Sequence, residues 1–243
     1  MSVDNRRVRS SAPPVREDPG NDATGTKENT AARPVRRRPK NRRAQIAAAA
    51  ANAFGALGYH SVSMEDIAGG LGISSAALYR HYPSKYALFQ EESLRVGQAM
   101  ADAVQLEPEA AGAEPEQRLR TVLEALCAVT VSNRASVALV RWEGRYLEPA
   151  DREIRDAQQN AVLAALGTEL AACRPEVSGQ DRRVLVVALL SVITSIADHH
   201  ATLPTKALAG LLVATAMDLA AVSLPEPGDI EPVRPVEIPE SFK

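Results

Sequence analysis

Three serines that each precede a helical segment constrain the fold of this chain more than any other feature. Ser63 precedes MEDIAGGL, with Asp66 three positions further on, which is close to the capping-box pattern. Ser74 precedes a second short helix that Pro83 ends, and Ser84 precedes a third helix. The spacing therefore predicts short helices separated by sharp turns, which can bury their apolar faces only by packing together.

A longer amphipathic helix is predicted directly before this segment. Residues 41–57 carry apolar side chains at helical spacing, and Gly58 stands where a left-handed residue would end the helix. The turn at Leu71-Gly72-Ile73 then joins the two short helices. Three helices in this order match the helix-turn-helix arrangement, in which the second short helix, here Ser74 to His81, enters the major groove of DNA.

The composition favours an all-α fold along the rest of the chain. Apolar residues make up 45% of the 243 residues and aromatic residues only 4%, while β-branched runs are scarce. Longer helices follow the motif. We predict a helix-turn-helix DNA-binding domain over 40–90 and a larger helical domain for ligand binding and dimerisation over 91–224, flanked by a basic arm over 1–39 and a Pro-rich tail over 225–243, both disordered.

The charge is distributed unevenly between the two ends of the chain. Residues 1–43 hold 12 Lys and Arg against 5 Asp and Glu, whereas residues 44–243 hold 16 against 25. A basic arm on an acidic body indicates a polyanionic partner such as DNA, although a solvated tail explains the same pattern. The segment from Arg33 to Arg43 either follows the DNA backbone or enters a minor groove if it binds.

Several other classes of protein are disfavoured. Cys127 and Cys173 lack metal-ligand spacing and fit a reducing cytoplasm without a disulfide. Neither a signal-peptide pattern nor an apolar run of about 18 residues is found, so no membrane span is expected. The pair His199-His200 cannot bind one metal from adjacent helical positions, and no nucleophile elbow or phosphate loop is present. An enzyme is therefore not expected, and neither is a cofactor or a metal.

The segment from Gln45 to Phe89, through AFGALGYHSVSMEDIAGGLGISSAALYRHYPSKYALF, closely resembles the DNA-binding domain of TetR-type (TetR/AcrR-like) transcriptional regulators. The resemblance implies that Ser63 to Leu71 is the supporting helix and that Ser74 to His81 is the recognition helix. It also implies that Ser63 lies at a helix start that meets the DNA backbone. The side chains that it places on phosphate are Tyr79, His81 and Lys85.

The recognition helix itself offers few strong base-reading groups. Its exposed start supplies hydroxyls and methyls instead of a bidentate Arg or Asn, and Arg80 reaches either a guanine or a phosphate. Shape readout is therefore a larger part of the predicted specificity. The predicted DNA-contacting residues are Arg42, Arg43, Ser63, Ser74, Ser75, Ala76, Ala77, Tyr79, Arg80, His81 and Lys85.

A single helix-turn-helix contacts only a few base pairs, so a homodimer on a palindromic double-stranded operator is predicted. The segments Arg182 to His199 and Pro204 to Ser223 are apolar nearly all round and are the predicted four-helix interface. Dimerisation through the last two long helices is also what the TetR resemblance implies. The alternative is that both segments only complete the core of the monomer.

The middle helices, about residues 115–173, are predicted to enclose a pocket. In the resembled family, a small molecule that enters this domain releases the DNA, which implies a repressor. The apolar composition favours a hydrophobic or amphipathic effector, with fatty acyl-type molecules as one example. A ligand-independent repressor or activator and, less favoured, a helical small-molecule-processing enzyme are the alternatives. The predicted pocket residues are Leu126, Cys127, Val131, Leu139, Arg141, Trp142, Arg145, Tyr146 and Leu163.

Overall fold

The structure is a computed structural model that describes residues 42–177, 179–198 and 203–224, and these residues form helices without any strand. The predicted all-α fold is confirmed. The arm over 1–39, the tail over 225–243 and the pair His199-His200 lie outside the described residues. The α-helices are α1 (Arg42–Leu57), α2 (Met64–Gly70), α3 (Ser75–Tyr79), α4 (Lys85–Ala103), α5 (Pro108–Ala111), α6 (Pro115–Ser132), α7 (Arg134–Glu143), α8 (Pro149–Cys173), α9 (Gly179–Thr194) and α10 (Thr205–Ala220).

The predicted helix starts around the motif are confirmed by their capping hydrogen bonds. The Ser63 side chain accepts from the Asp66 amide, and the Asp66 carboxylate accepts from the Ser63 amide, which completes a capping box at the start of α2. Ser74 and Ser84 accept from the third amide of α3 and α4 in the same way. The recognition helix α3 is shorter than predicted, because Tyr79 is its last helical residue and the chain turns before Pro83.

The first hydrophobic core lies between α1, α2, α3 and the start of α4. Tyr82, Phe54 and Phe89 are fully buried in it, and the rings of Phe54 and Phe89 meet edge to face with centroids 6.5 Å apart. Leu139 of α7 and Leu147 belong to this core as well. The helices α1, α2 and α3, together called the three-helix head, are thus packed against a helix from the middle of the chain.

The second hydrophobic core is formed by the longer helices α4, α6, α8, α9 and α10. Its centre is aliphatic, with buried leucines from four of these helices, such as Leu123, Leu166, Leu189 and Leu212. The C-terminal half of α4 contributes Ala101 to it. The helix α4 therefore contributes to both cores, with Leu88 and Phe89 in the first and Ala101 in the second.

No single helix among the described residues is long and apolar enough to cross a membrane. The segments Pro115–Ser132 and Arg134–Tyr146 reach that length and hydropathy only when they are taken together across a 90° bend.

Candidate nucleic-acid interface and internal cavity

One face of α3 is buried and the opposite face is exposed. Leu78 and Tyr82, four residues apart, are fully buried, whereas Tyr79 is 46% exposed and Arg80 is exposed beside it. His81 is half-buried at the end of the same turn. The buried side anchors this segment in the core, and the exposed side presents the Tyr79 phenol and the Arg80 guanidinium to solvent. Both groups suit contacts to a phosphate backbone.

The start of α3 is also accessible. Ser74 and Ala76 are exposed, and Ser75 and Ala77 are half-buried. The Ser74 side-chain oxygen is occupied as the acceptor for the Ala77 amide, at 3.2 Å. Its position fixes the N-terminus of α3, where the remaining first-turn amides and the positive end of the helix dipole favour an anion.

Ser63 has both of its own donors engaged within the capping box. Its amide donates to Asp66 Oδ2 at 2.8 Å and its hydroxyl donates to the same oxygen at 2.6 Å. These hydrogen bonds from Ser63 lower the pKa of Asp66. A phosphate at this helix start would therefore meet the free amides of the first turn of α2 instead of the Ser63 hydroxyl.

Arg43, one of the predicted DNA contacts, makes several intramolecular contacts. Its Nε donates to both carboxylate oxygens of Glu91, at 2.9 and 3.1 Å, and its Nη1 donates to the His81 carbonyl at 3.2 Å. The guanidinium also lies 4.4 Å from the centre of the Tyr82 ring. This residue thus fixes α1 against α4 and the end of the recognition segment. Arg42 donates a hydrogen bond to Gln45 one turn later, at the surface.

The hydroxyl of Tyr82 has a defined partner, although its ring is buried. It donates to Glu91 Oε1 at 2.7 Å. Burial, followed by this hydrogen bond to Glu91, raises the pKa of Tyr82. Glu91 in turn accepts from both Arg43 and Tyr82, and the hydrogen bonds from Arg43 are the largest cause that lowers its pKa.

Lys85, at the start of α4, has two intramolecular partners. Its Nζ donates to the carbonyl oxygens of Tyr59 and Val62, each at 3.0 Å, and lies 4.6 Å from the centre of the Tyr59 ring. Since an ammonium group has three donors, one remains for a phosphate. Lys85 therefore holds the loop between α1 and α2 at the same place where it would contact DNA.

A cavity of about 300 Å³ lies within the longer helices, between α4, α7, α8 and α9. Its walls are mainly aliphatic, with polar groups gathered on α7, α8 and α9. The residues that line it are Val96, Gly97, Met100, Val137, Val140, Arg141, Arg155, Gln158, Gln159, Val162, Leu163, Val187, Leu190, Ser191 and Thr194. Its volume is at the lower limit of the roughly 300–1,000 Å³ typical of small-molecule sites.

Two polar atoms of α8 at this cavity are inaccessible to solvent and have no hydrogen-bond partner within the described part of the chain: Arg155 Nε and Gln158 Oε1. The amide nitrogen of Gln158 donates to the Leu94 carbonyl at 3.2 Å. Because a carbonyl only accepts, this contact fixes which end of the Gln158 amide is the oxygen. Neither atom has surface that a water molecule could reach, so both are packed against other protein atoms instead of facing the open space of the cavity.

Only Arg141 and Leu163 of the nine predicted pocket residues line this cavity. The other seven lie elsewhere in the structure. Leu126 and Cys127 are buried in the second core, with Val131 packed against it, and Leu139 lies in the first core. Trp142, Arg145 and Tyr146 are exposed, because α7 runs along α1 and ends beside the three-helix head, where the Tyr146 ring stacks on Tyr59 with centroids 6.1 Å apart.

The sequence contains a signal for the cavity wall that the pocket prediction missed. Positions 155, 158, 159, 162 and 163 are spaced as one face of a helix, and this face changes from Arg and Gln to Val and Leu. A polar stripe that continues into an aliphatic one is typical of a helix that borders a mixed cavity. The sequence alone does not indicate which elements stand opposite this face.

Comparisons with known proteins identify the three-helix head. Residues 46–91 match a family described as bacterial regulatory proteins, tetR family. These residues contain α2, α3 and most of α1. A comparison with curated protein sequences finds no match. The proteins of the matched family are transcriptional regulators and not enzymes, in agreement with the sequence prediction.

Solved structures share the fold over the length of the described helices. A regulatory protein of the tetR family from Rhodococcus RHA1 is 23% identical over 73% of this chain and 96% of its own, with a TM-score of 0.62. PfmR from Thermus thermophilus is 24% identical over 72% and 97%, with a TM-score of 0.60. AibR, solved with isovaleryl coenzyme A and operator DNA, is 20% identical over 72% and 97%, with a TM-score of 0.58. Residues 46–91 thus match the helix-turn-helix segment of the tetR family of bacterial regulatory proteins, and the described helices share the fold of solved tetR-family regulators.

Proposed function

We propose that the protein is a dimeric repressor that leaves its operator when a hydrophobic or amphipathic small molecule binds in the cavity between α4, α7, α8 and α9. The observation that carries this proposal is the arrangement of α3. Its buried side is fixed by Leu78 and Tyr82, and its exposed side carries Tyr79 and Arg80 next to an accessible helix start. This arrangement suits insertion into a major groove.

The proposed DNA contacts follow from the exposed groups. Tyr79, His81, the third donor of Lys85 and Arg42 contact phosphates, which fixes the register of the helix but not the sequence. Ser74, Ser75, Ala76 and Ala77 face the base edges, where hydroxyls and methyls read the DNA weakly, and Arg80 contacts a guanine or a phosphate. Specificity therefore depends partly on DNA shape and on the basic arm before α1.

The proposed dimer uses α9 and α10. Val184 of α9 is 61% exposed and Leu211 of α10 is 56% exposed, although both helices also contribute to the second core. Large apolar side chains exposed on two neighbouring helices are typical of a surface that a second copy covers. A symmetric pair would give two recognition helices for the two halves of a palindromic operator.

The proposed effector acts through α4. This helix lines the cavity with Val96 and Met100. Its first turns also carry Lys85 and Phe89, which contact the three-helix head. A ligand releases DNA only if it binds the released conformation more tightly than the DNA-bound one. AibR, which shares the fold, was solved with isovaleryl coenzyme A and with operator DNA. An acyl-type effector is consistent with the aliphatic cavity. Because the proposed partner is operator DNA, we also propose a cytoplasmic location.

The proposal is tested by selecting preferred duplexes from a random pool with the full chain, under heparin competition, after bound small molecules have been stripped away. We expect enrichment of an inverted repeat that two copies bind. Ligand extracted from the purified protein and identified by mass spectrometry should then lower the affinity for that repeat. Enrichment of no duplex would contradict DNA-binding regulation, and enrichment without any releasing ligand would favour a ligand-independent regulator.

A further inference from the structure

One end of the cavity is polar and is formed by the last turns of α7 and α9. Arg141 of α7 and Ser191 and Thr194 of α9 line this polar end. Arg141 Nη1 donates to Thr194 Oγ1 at 3.3 Å, and Ser191 lies one turn before Thr194 on the same face of α9. The Arg141 side chain is 37% exposed and Ser191 is exposed, so a ligand in the cavity can reach these groups.

The two hydroxyls of the polar end are able to donate to a ligand. Each now donates to a carbonyl one turn earlier in α9, Ser191 to Val187 at 2.8 Å and Thr194 to Leu190 at 2.9 Å. Carbonyls inside a helix also accept from the helical amides, and a hydroxyl rotates about its C–O bond. Turning the hydroxyls toward a ligand oxygen therefore costs little. The polar end then offers a guanidinium and two O–H donors to one acceptor group.

The charge at the cavity favours an anion as that acceptor. Among the described residues that line it, two are arginines and none is Asp or Glu. Arg155 is paired at 2.9 Å with Asp156, its neighbour on α8. Arg141 is paired at 3.1 Å with Asp198, which is partly exposed and stands outside the lining. Because a guanidinium has five N–H donors, Arg141 can bind a ligand carboxylate beside Asp198 or in its place.

The rest of the cavity wall suits an alkyl chain. Val96 and Met100 of α4, Val162 of α8 and Leu190 of α9 are among the residues that line it. An aliphatic chain against these side chains is removed from water without leaving polar protein groups unpaired. The volume of about 300 Å³ is small for a ligand site, so the chain that it encloses is short.

We propose that the cavity binds an amphipathic carboxylic acid with a short aliphatic chain. Its carboxylate lies beside Arg141 and accepts from Ser191 and Thr194, and its chain lies among the aliphatic side chains of α4, α8 and α9. This inference rests on the proposed function, because it specifies the chemical class of the effector. It requires an acid, whereas an aliphatic wall by itself would bind a neutral ligand at least as well.

A series of probes with the same eight-carbon chain tests the proposal on the full-length protein by isothermal titration calorimetry at pH 7. The probes are octanoate, the neutral octan-1-ol, the cationic octylamine and octanoyl coenzyme A, in which the acid is a thioester. We expect octanoate to bind about tenfold more tightly than octan-1-ol, and octylamine to bind most weakly, since only the acid gains charge-assisted hydrogen bonds at Arg141. Equal affinities of octanoate and octan-1-ol, or tighter binding of octylamine or octanoyl coenzyme A, would overturn the proposal.

Two variants with opposite expected effects assign the preference to the polar end. Arg141→Met should abolish the preference for octanoate over octan-1-ol, because it removes the cation and keeps an apolar side chain. Asp198→Asn should raise the affinity for octanoate and leave that for octan-1-ol unchanged, because it removes the negative charge next to the site. Arg145→Met is the matched control, since Arg145 is an exposed arginine outside the cavity, and it should change neither affinity. Circular dichroism and ligand-free melting show whether each variant is folded.

The outcomes separate this inference from the proposed function. If the protein selects an inverted repeat but octanoate does not bind, or Arg141→Met leaves the acid preference intact, the carboxylic-acid assignment fails while DNA-binding regulation stands. If the probes and variants behave as expected but no duplex is selected, the chemistry of the cavity stands and the regulatory function fails. Non-specific association of the alkyl chain would appear as octanoate binding that responds equally to Arg141→Met and Arg145→Met, which also overturns the assignment.

Discussion

The hydroxyl of Tyr86, at the start of α4, donates a hydrogen bond to Asp151 Oδ2 at the start of α8, with an oxygen–oxygen distance of 2.5 Å. The same hydroxyl accepts from the Glu148 amide at 2.8 Å, and Gln90 donates to the other oxygen of Asp151 at 2.7 Å. Asp151 lies one turn before Arg155 on α8. The wall of the cavity is therefore hydrogen-bonded to the helix that carries part of the DNA-binding head.

Removal of this hydroxyl should destabilise the protein. In Tyr86→Phe, Asp151 and the Glu148 amide each lose a partner at a site where the carboxylate is buried, so we expect the free energy of unfolding to fall by about 1–3 kcal/mol. Urea denaturation followed by circular dichroism measures the change. Tyr79→Phe is the matched control, because Tyr79 is exposed, and it should change stability by less than about 0.5 kcal/mol. Equal effects in the two variants would contradict a structural role for the Tyr86 hydroxyl.

The Arg43–Glu91 pair should make stability depend on pH in the acid range. Hydrogen bonds from Arg43 lower the pKa of Glu91 in the folded protein. A carboxyl with a lowered pKa stabilises the fold above its unfolded value of about 4.3, and this contribution is lost as the pH falls through the folded pKa. In Glu91→Gln, stability should therefore fall less steeply below about pH 4.3.

Thermal melting between pH 7 and pH 3 measures this dependence. The exposed Glu65→Gln variant is the control for the loss of a carboxylate from the head. If Glu91→Gln and Glu65→Gln show the same acid slope, the pair does not contribute to the pH dependence.

Phosphate contacts and base contacts should respond differently to substitution. Tyr79→Ala should weaken binding to all duplexes alike, whereas Ser75→Ala or Ala76→Ser should change the preference among sites, by less than the roughly 1–3 kcal/mol of a bidentate base contact. Fluorescence anisotropy against the selected operator and single-base variants distinguishes the two. Tyr79 is a sharper test than Lys85, because Lys85→Ala would also release the carbonyls of Tyr59 and Val62. Unchanged affinity in Tyr79→Ala would rule out the assigned contact.

Truncation of the basic arm should flatten the salt dependence of DNA binding. Each phosphate contact that is lost changes the slope of log K against log salt concentration by about 0.9. A chain that begins at residue 41 is compared with the full chain over a series of salt concentrations. A slope that stays the same would mean that the arm does not contact DNA.

A charge at the proposed dimer surface should give a monomer. Val184 and Leu211 are exposed within one chain, so Val184→Glu or Leu211→Glu should leave folding intact while it opposes burial against a second copy. Sedimentation equilibrium at micromolar concentration measures the state. Ile154→Glu, at another exposed apolar position on α8, is the control and should remain dimeric. A monomeric unmodified protein would contradict the dimer itself.

The local signals in the sequence determined the three-helix head. Capping by Ser63, Ser74 and Ser84 and the positive φ angles of Gly58 and Gly72 depend on residues within a few positions of one another, so the residue types are sufficient to predict them. The family resemblance over Gln45 to Phe89 rests on the same short-range pattern.

Only the tertiary structure decided which side chains meet across the molecule. Arg43 reaches Glu91, which is 48 positions away, and Leu139 packs into the head instead of the cavity. Helical spacing placed Arg155 and Gln158 on one face of α8 but did not indicate that α4, α7 and α9 leave a cavity opposite it. The physical reason is that a helix repeats every 3.6 residues and so defines its own faces, whereas the partner of each face depends on how all the helices pack together.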